Sequence, residues 1–157
     1  AADLECEPLR FNLSHTQGLA ACVVTRRLDC GIDVESAEGQ CDINAVVDRV
    51  LSLDEHIRLE RVPEEDRRLE FLRLWTLKEA YVKARGMGMF LAMDKCIIKS
   101  PGETPDIELG PELGDEARGW QLFQYFPTPL YSLAVALRHG NDEKARILIN
   151  EMHPETL

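Results

Sequence analysis

The segment over residues 64–84 constrains the fold most, because it carries the longest helical pattern in the chain. Pro63 and three acidic residues open it, and negative charge stabilises the N-terminus of a helix. Gly86 follows it, and glycine readily takes the left-handed conformation that ends a helix. We therefore predict one long helix over this segment.

Short apolar runs rich in small and β-branched residues predict strands around this helix. They lie at residues 19–25, 30–35, 96–98, 120–126 and 131–137. The first two are separated by a short polar link, which predicts that they pair as a hairpin. The segment 101–119 holds three Pro and four Gly, so it is expected to be mostly loop.

A second, shorter helix is predicted from Ser52 to Arg61, since Ser52 and Glu55 have the spacing of a capping box. Helices that separate strand pairs predict an α+β fold, a small antiparallel sheet packed on one long helix. The length predicts one domain over residues 1–140, in which 1–18 is an extended lead-in. Residues 141–157 are expected to form a C-terminal tail.

The charge balance argues against nucleic acid as a partner. The 157 residues carry 28 Asp and Glu against 18 Lys and Arg, a net charge of −10. A nucleic acid repels an acidic chain that lacks a basic stretch. No apolar stretch approaches the roughly 18 residues that a membrane span needs. Five cysteines without a C-x-x-C pair indicate free thiols, and thus a cytoplasmic protein.

Asp33 and Glu35 lie two residues apart in a predicted strand, so their side chains share one face. Two neighbouring carboxylates repel each other unless a cation lies between them, and oxygen ligands suit a hard ion such as Mg²⁺. Taken alone, the pair is more typical of a strand end whose polar face is in water.

Glu79 and Lys83 lie four residues apart on the helical stripe that also carries Leu72 and Trp75. An exposed Glu–Lys pair at this spacing is a common helix stabiliser. A pair set in an apolar stripe loses hydration, and a ligand or metal commonly compensates for that loss. The helix alone leaves both interpretations open.

The segment from Phe11 to Thr16 concentrates an amide, hydroxyls and an imidazole. These side chains can donate several hydrogen bonds to an anion such as phosphate. A loop with a capping serine and a solvated histidine is the plainer interpretation.

Taken together and in order, three motifs resemble the signature set of the 4′-phosphopantetheinyl transferases. They are F-N-L-S-H-T at 11–16, C-G-I-D-V-E at 30–35 and L-W-T-L-K-E-A-Y-V-K-A-R-G-M-G at 74–88. The third is the most specific, since it fixes Trp, Lys-Glu, a second Lys and two Gly at set offsets. The resemblance is to the larger, two-lobed class that activates surfactin-synthetase-like enzymes, and mainly to its C-terminal lobe.

The resemblance implies transfer of 4′-phosphopantetheine from coenzyme A to a serine of an acyl or peptidyl carrier protein, with release of 3′,5′-ADP. It implies that Asp33, Glu35 and Glu79 hold Mg²⁺, and that Glu79 also accepts the serine proton. Lys83 would bind the coenzyme A phosphate beside the leaving oxygen.

Further contacts with coenzyme A follow from the same resemblance. Ser14 and His15 would contact its 3′-phosphate. Asn12 and Lys78 are weaker candidates for the same ligand, and for Lys78 a surface contact is equally open.

The chain departs from the two-lobed class because only ten residues precede the first motif. We therefore expect an N-terminal lobe or a second copy to complete the site. Carrier proteins are acidic, so Arg58 and Arg61 are candidates for docking one, with a solvated helix face as the alternative. Two other functions stay open: a non-catalytic carrier-binding scaffold of this fold, and an unrelated Mg²⁺-dependent phosphohydrolase.

Overall fold

The computed structural model describes residues 8–40, 42–88, 92–100, 102–140 and 144–152. In this part of the chain the strands are β1 (Leu9–Thr16), β2 (Leu19–Arg26), β3 (Asp29–Ser36), β4 (Cys96–Ser100), β5 (Asp106–Leu109), β6 (Trp120–Tyr125) and β7 (Tyr131–Arg138). The α-helices are α1 (Ile43–Val50), α2 (Leu53–Glu60) and α3 (Glu64–Arg85).

Helix α3 is the predicted long helix, and it ends one residue later than expected. Gly86 caps it with a φ of 65°. Large side chains such as Phe71, Leu77 and Tyr81 are fully buried along it, so α3 is the central element of the core. The start of α2 is also confirmed, since Ser52 and Glu55 form the predicted capping box.

Strands β3, β7 and β6 form an antiparallel sheet with β7 in the middle. One face of this sheet packs on α3. The other face is covered by β1 and β2 and by two residues of the tail, Ala145 and Ile147. The predicted α+β architecture, a small antiparallel sheet on one long helix, is therefore confirmed.

The predicted pairing of residues 19–25 with 30–35 is wrong. Strand β2 pairs with β1 along its whole length, whereas β3 pairs with β7. The expected lead-in over residues 1–18 therefore contains a strand that the sequence pattern did not reveal.

Polar and apolar side chains alternate along β1 in the inverse of the usual sense, which explains why the sequence pattern did not predict a strand there. Phe11 and Leu13 are 67% and 61% exposed, whereas Ser14 is buried. Normally the apolar side chains of a strand face the core and the polar ones face water. Here the polar side chains point inward because they bind β3, as described below.

The remaining elements lie around α3. Strands β4 and β5 form a separate two-stranded sheet, so the expected loop over 101–119 is wrong at residues 106–109. Helix α1 was not predicted. In the described tail, Ala145 is held by Gln121, whose side-chain amide accepts from its N–H at 2.8 Å and donates to its carbonyl at 3.2 Å. None of the helices described here is long and apolar enough to cross a membrane.

Candidate active site

Gly31 allows β3 and α3 to approach closely enough to share a site. A Cβ atom on Gly31 would lie 2.0 Å from the carbonyl oxygen of Ala80 and 2.5 Å from the nitrogen of Ala84. No larger residue fits such a contact without moving the backbone. The approach brings Asp33 on β3 next to Lys83 on α3.

Asp33 is the centre of a buried polar cluster. Its Oδ1 atom accepts hydrogen bonds from Lys83 Nζ at 2.6 Å and from Ser14 Oγ at 3.1 Å. Burial raises the pKa of Asp33 above its ordinary value, although the hydrogen bond from Lys83 opposes that shift. Its Oδ2 atom is buried and has no hydrogen-bond partner in the described structure. A buried oxygen without a partner is unfavourable, and a bound cation would relieve it.

Glu35 and Glu79 lie half-buried in the same electrostatic neighbourhood. Burial raises the pKa of both carboxyl groups, and the negative charge of Asp33 raises each further. Within the described ranges, neither side chain makes a hydrogen bond or an ion pair. A Glu79–Lys83 ion pair, one of the two interpretations left open by the sequence, is not formed, because Lys83 contacts Asp33 instead.

These carboxylates fit a divalent cation by their chemistry but are not preassembled around one. As the side chains stand, no three His, Cys, Asp or Glu of the described residues lie close enough together to hold a metal ion. The donors are nevertheless of the kind that Mg²⁺ prefers. The unpartnered Oδ2 of Asp33 gives one of them a free ligand position.

Strand β1 contributes Asn12 and Ser14 to this region through side chains rather than through a backbone ladder. Asn12 Oδ1 accepts a hydrogen bond from the N–H of Ile32 at 3.0 Å, and Ser14 Oγ accepts one from Val34 at 3.3 Å. His15 is exposed and points to the opposite face of β1, since neighbouring strand residues alternate. The structure therefore brings Ser14, and not His15, to Asp33 and Lys83.

Lys78 lies in the interior with no exposed side-chain surface, so the structure contradicts both interpretations left open for it, a contact with coenzyme A and a surface contact. Its Nζ atom donates to Glu55 Oε2 at 2.6 Å, to the Val50 carbonyl at 2.7 Å and to the Met93 carbonyl at 3.1 Å. Burial lowers the pKa of Lys78, and the charge of Glu55 opposes that shift. Sequence reasoning identified Glu55 as a helix cap only, and no local signal marks it as the partner of Lys78.

The two arginines proposed for docking differ in their surroundings. Arg58 donates to the carbonyls of Ile98 at 2.7 Å and Lys99 at 3.3 Å, and so it ties α2 to β4. Arg61 is the C-cap of α2 and is exposed. Of the two, Arg61 is better placed to meet a partner.

Solved structures share this fold. The Thermotoga maritima holo-[acyl-carrier-protein] synthase aligns with a TM-score of 0.55 over 82% of this chain and 71% of its own, at 18% identity. A likeness at this identity establishes the fold alone.

Sequence comparison adds the family. The model of the 4′-phosphopantetheinyl transferase superfamily (ACPS) matches residues 29–136. The transferase HetI of Nostoc sp. is 33% identical over 129 residues, which are 82% of this chain and 52% of HetI. The transferase AcpT of Salmonella typhimurium is 37% identical over 79 residues, 50% of this chain and 41% of AcpT. The chain belongs to the 4′-phosphopantetheinyl transferase superfamily, and it spans about half the length of these curated relatives.

Proposed function

We propose that this chain carries the catalytic half of a transferase that moves 4′-phosphopantetheine from coenzyme A to a serine of an acyl or peptidyl carrier protein. The other product is 3′,5′-ADP. The observation that carries the proposal is the contact between Asp33 and Lys83, which unites two of the motifs and leaves one carboxylate oxygen free. The match to the superfamily and the names of the relatives support it.

The metal in this proposal is Mg²⁺, held by Asp33, Glu35 and Glu79. When bound, such an ion neutralises charge on the pyrophosphate of coenzyme A. Glu79 has a raised pKa and no hydrogen-bond partner in the described structure, which suits a group that accepts the proton of the carrier serine. Lys83 would donate to the phosphate beside the leaving oxygen in place of one of its present hydrogen bonds.

Coenzyme A is proposed to lie against β1 and the start of β3. His15 is exposed and so is free to meet the 3′-phosphate. The expected contacts of Ser14 and Asn12 with coenzyme A stay predictions, and both side chains already bind β3. A cytoplasmic location also stays a prediction.

We further propose that a second lobe covers the outer face of β1 and β2. Leu9, Phe11, Leu13 and Val24 are all strongly exposed there, and the register places Phe11 opposite Val24. An exposed apolar group of this kind marks an interaction surface. The greater length of the relatives supports a lobe of the same polypeptide, with a second copy as the alternative. His15 lies on this face, so coenzyme A would bind where the two bodies meet.

A transfer assay tests the proposed function. An apo carrier protein is incubated with coenzyme A, Mg²⁺ and the protein, and the intact mass of the carrier is measured. We expect the mass of the holo form to appear, and to be absent with the Asp33→Asn variant. Hydrolysis of coenzyme A without a change in carrier mass would favour the phosphohydrolase. Carrier binding without any turnover would favour the scaffold.

A further inference from the structure

The hydroxyl group of Ser14 is fully occupied inside the protein. It donates to Asp33 Oδ1 at 3.1 Å and accepts from the N–H of Val34 at 3.3 Å and from Lys83 Nζ at 3.1 Å. A serine hydroxyl offers one donor and two acceptor positions. All three are in use and the side chain is buried, so the present bonds of Ser14 are all made within the protein.

The ammonium group of Lys83 likewise makes three hydrogen bonds inside the protein. Its Nζ atom donates to Asp33 Oδ1 at 2.6 Å, to Ser14 Oγ at 3.1 Å and to the Ile32 carbonyl at 3.1 Å. Ser14 and Lys83 therefore hold the same oxygen of Asp33. This arrangement fixes the orientation of the carboxylate and leaves Oδ2 without a protein partner among the described residues.

From these contacts we propose that Ser14 is a positioning residue for Asp33. The proposal rests on the proposed function, because it treats Asp33 as a metal ligand. Groups that hydrogen-bond to a metal ligand orient it and tune its affinity for the metal. Ser14 does so from β1 through its bond to Asp33 Oδ1.

Asn12 provides a comparison within the same strand. It lies two residues before Ser14 on the same face of β1, and its side chain also accepts a hydrogen bond from a backbone N–H of β3. Its bond goes to Ile32 and not to Asp33. Loss of the Asn12 side chain should therefore weaken the docking of β1 alone. Loss of the Ser14 hydroxyl should weaken docking and also release the carboxylate.

The test measures binding of Mn²⁺, a paramagnetic substitute for Mg²⁺, by electron paramagnetic resonance without coenzyme A or carrier. The Ser14→Ala variant is expected to bind Mn²⁺ about tenfold more weakly than the unsubstituted protein. Asn12→Ala is expected to keep the original affinity, and Ser14→Thr, which retains a hydroxyl, to recover most of the loss. Circular dichroism checks the folding of each variant. If Ser14→Ala does not fold, Ser14→Cys takes its place, with a loss of the same sign because the thiol is a weak donor.

Several results would overturn the inference. One is an unchanged Mn²⁺ affinity in Ser14→Ala, above all if coenzyme A affinity falls instead, since Ser14 would then be a ligand. Another is an equal loss in Asn12→Ala, which would indicate a purely structural role. Failure of the unsubstituted protein to bind Mn²⁺ would remove the proposed metal site itself, and this inference with it.

Discussion

The ammonium group of Lys78 donates to Glu55 Oε2 at 2.6 Å, and neither side chain has any exposed surface. Glu55 also accepts hydrogen bonds from the N–H groups of Ser52 and Ile98, both at 2.8 Å. One ion pair therefore joins α2, α3 and β4. Lys78 directly precedes Glu79 in α3, so the ion pair holds α3 in place next to the candidate active site.

Removal of this ammonium should destabilise the protein severely. The Lys78→Met variant keeps the length of the side chain but leaves Glu55 buried without its counter-ion, which typically costs about 3–5 kcal/mol of unfolding free energy. Urea denaturation followed by circular dichroism measures the loss. Lys95→Met, at a half-exposed lysine, is the control and should change stability little. Equal stability of the two variants would show that the buried pair contributes nothing.

Gly31 should tolerate no side chain. In Gly31→Ala the new methyl group meets the backbone of Ala80 and Ala84, so strand and helix must separate, at a cost of roughly 1–3 kcal/mol or more. Thermal unfolding measures that cost. Gly102→Ala is the matched control, because a Cβ there meets nothing within 4 Å. We expect its melting temperature to stay unchanged, and a similar result for Gly31→Ala would contradict the close approach.

Substitution of Glu79 tests its proposed role as the base that accepts the serine proton. Glu79→Gln keeps the shape but loses the base, which typically lowers the rate about 10²–10⁴-fold. The rate of carrier modification, followed by intact mass, is the measurement. Glu65→Gln, at an exposed position in the first turn of the same helix, should leave the rate unchanged. A fully active Glu79→Gln variant would rule out Glu79 as the base.

The raised pKa values of Glu35 and Glu79 predict that these carboxyl groups make the stability of the metal-free protein depend on pH. Because the folded-state pKa exceeds the ordinary value of 4.5, folding favours the protonated carboxyl groups. Their contribution to stability is present below that value and is lost as the pH rises through the folded-state pKa. The double variant Glu35→Gln, Glu79→Gln should therefore melt higher than the unsubstituted protein near neutral pH.

Melting temperatures measured at several pH values, from about 4.5 to neutral, test the direction of this effect. The advantage of the double variant should grow as the pH rises. Added Mg²⁺ should stabilise the unsubstituted protein and not the variant, since a ligand of the folded state alone raises stability. An advantage that does not change with pH would contradict the assigned cause.

The exposed apolar face of β1 and β2 should matter for coenzyme A once the second lobe is present. Phe11→Asp places a charge where that lobe is proposed to pack, so we expect weaker binding of coenzyme A by calorimetry. Leu53→Asp is a control of the same chemistry, on α2 at a strongly exposed position. If both variants bind coenzyme A equally well, the face is not part of a completed site.

Local signals were enough to predict much of the fold. Helix α3 is bounded by Pro63 and Gly86, and strands β6 and β7 flank a proline-rich turn, so their positions follow from neighbouring residues. Strand β1 could not be recognised in this way. Its apolar residues face outward and its polar residues bind β3, and that inversion depends on a contact between distant parts of the chain.

The candidate site was predictable to a similar extent. Motif spacing and the family resemblance single out Asp33, Glu79 and Lys83, and the structure brings Asp33 and Lys83 into contact. The burial of Lys78 was not predictable, because lysine is almost always exposed unless it is paired. Its partner Glu55 lies 23 residues away in sequence, and only the packing of α2 against α3 unites them.

The side-chain bridge from β1 to β3 also occupies the open edge of β3. Strand β3 ends its sheet, and its outward N–H groups at Ile32 and Val34 are occupied by Asn12 and Ser14. A bare terminal strand is a template for pairing with another chain, the first step of polymerisation into fibrils. Asn12 and Ser14 thus satisfy the N–H groups at this edge. A chain that lost both side chains would expose these groups to strand pairing with another copy.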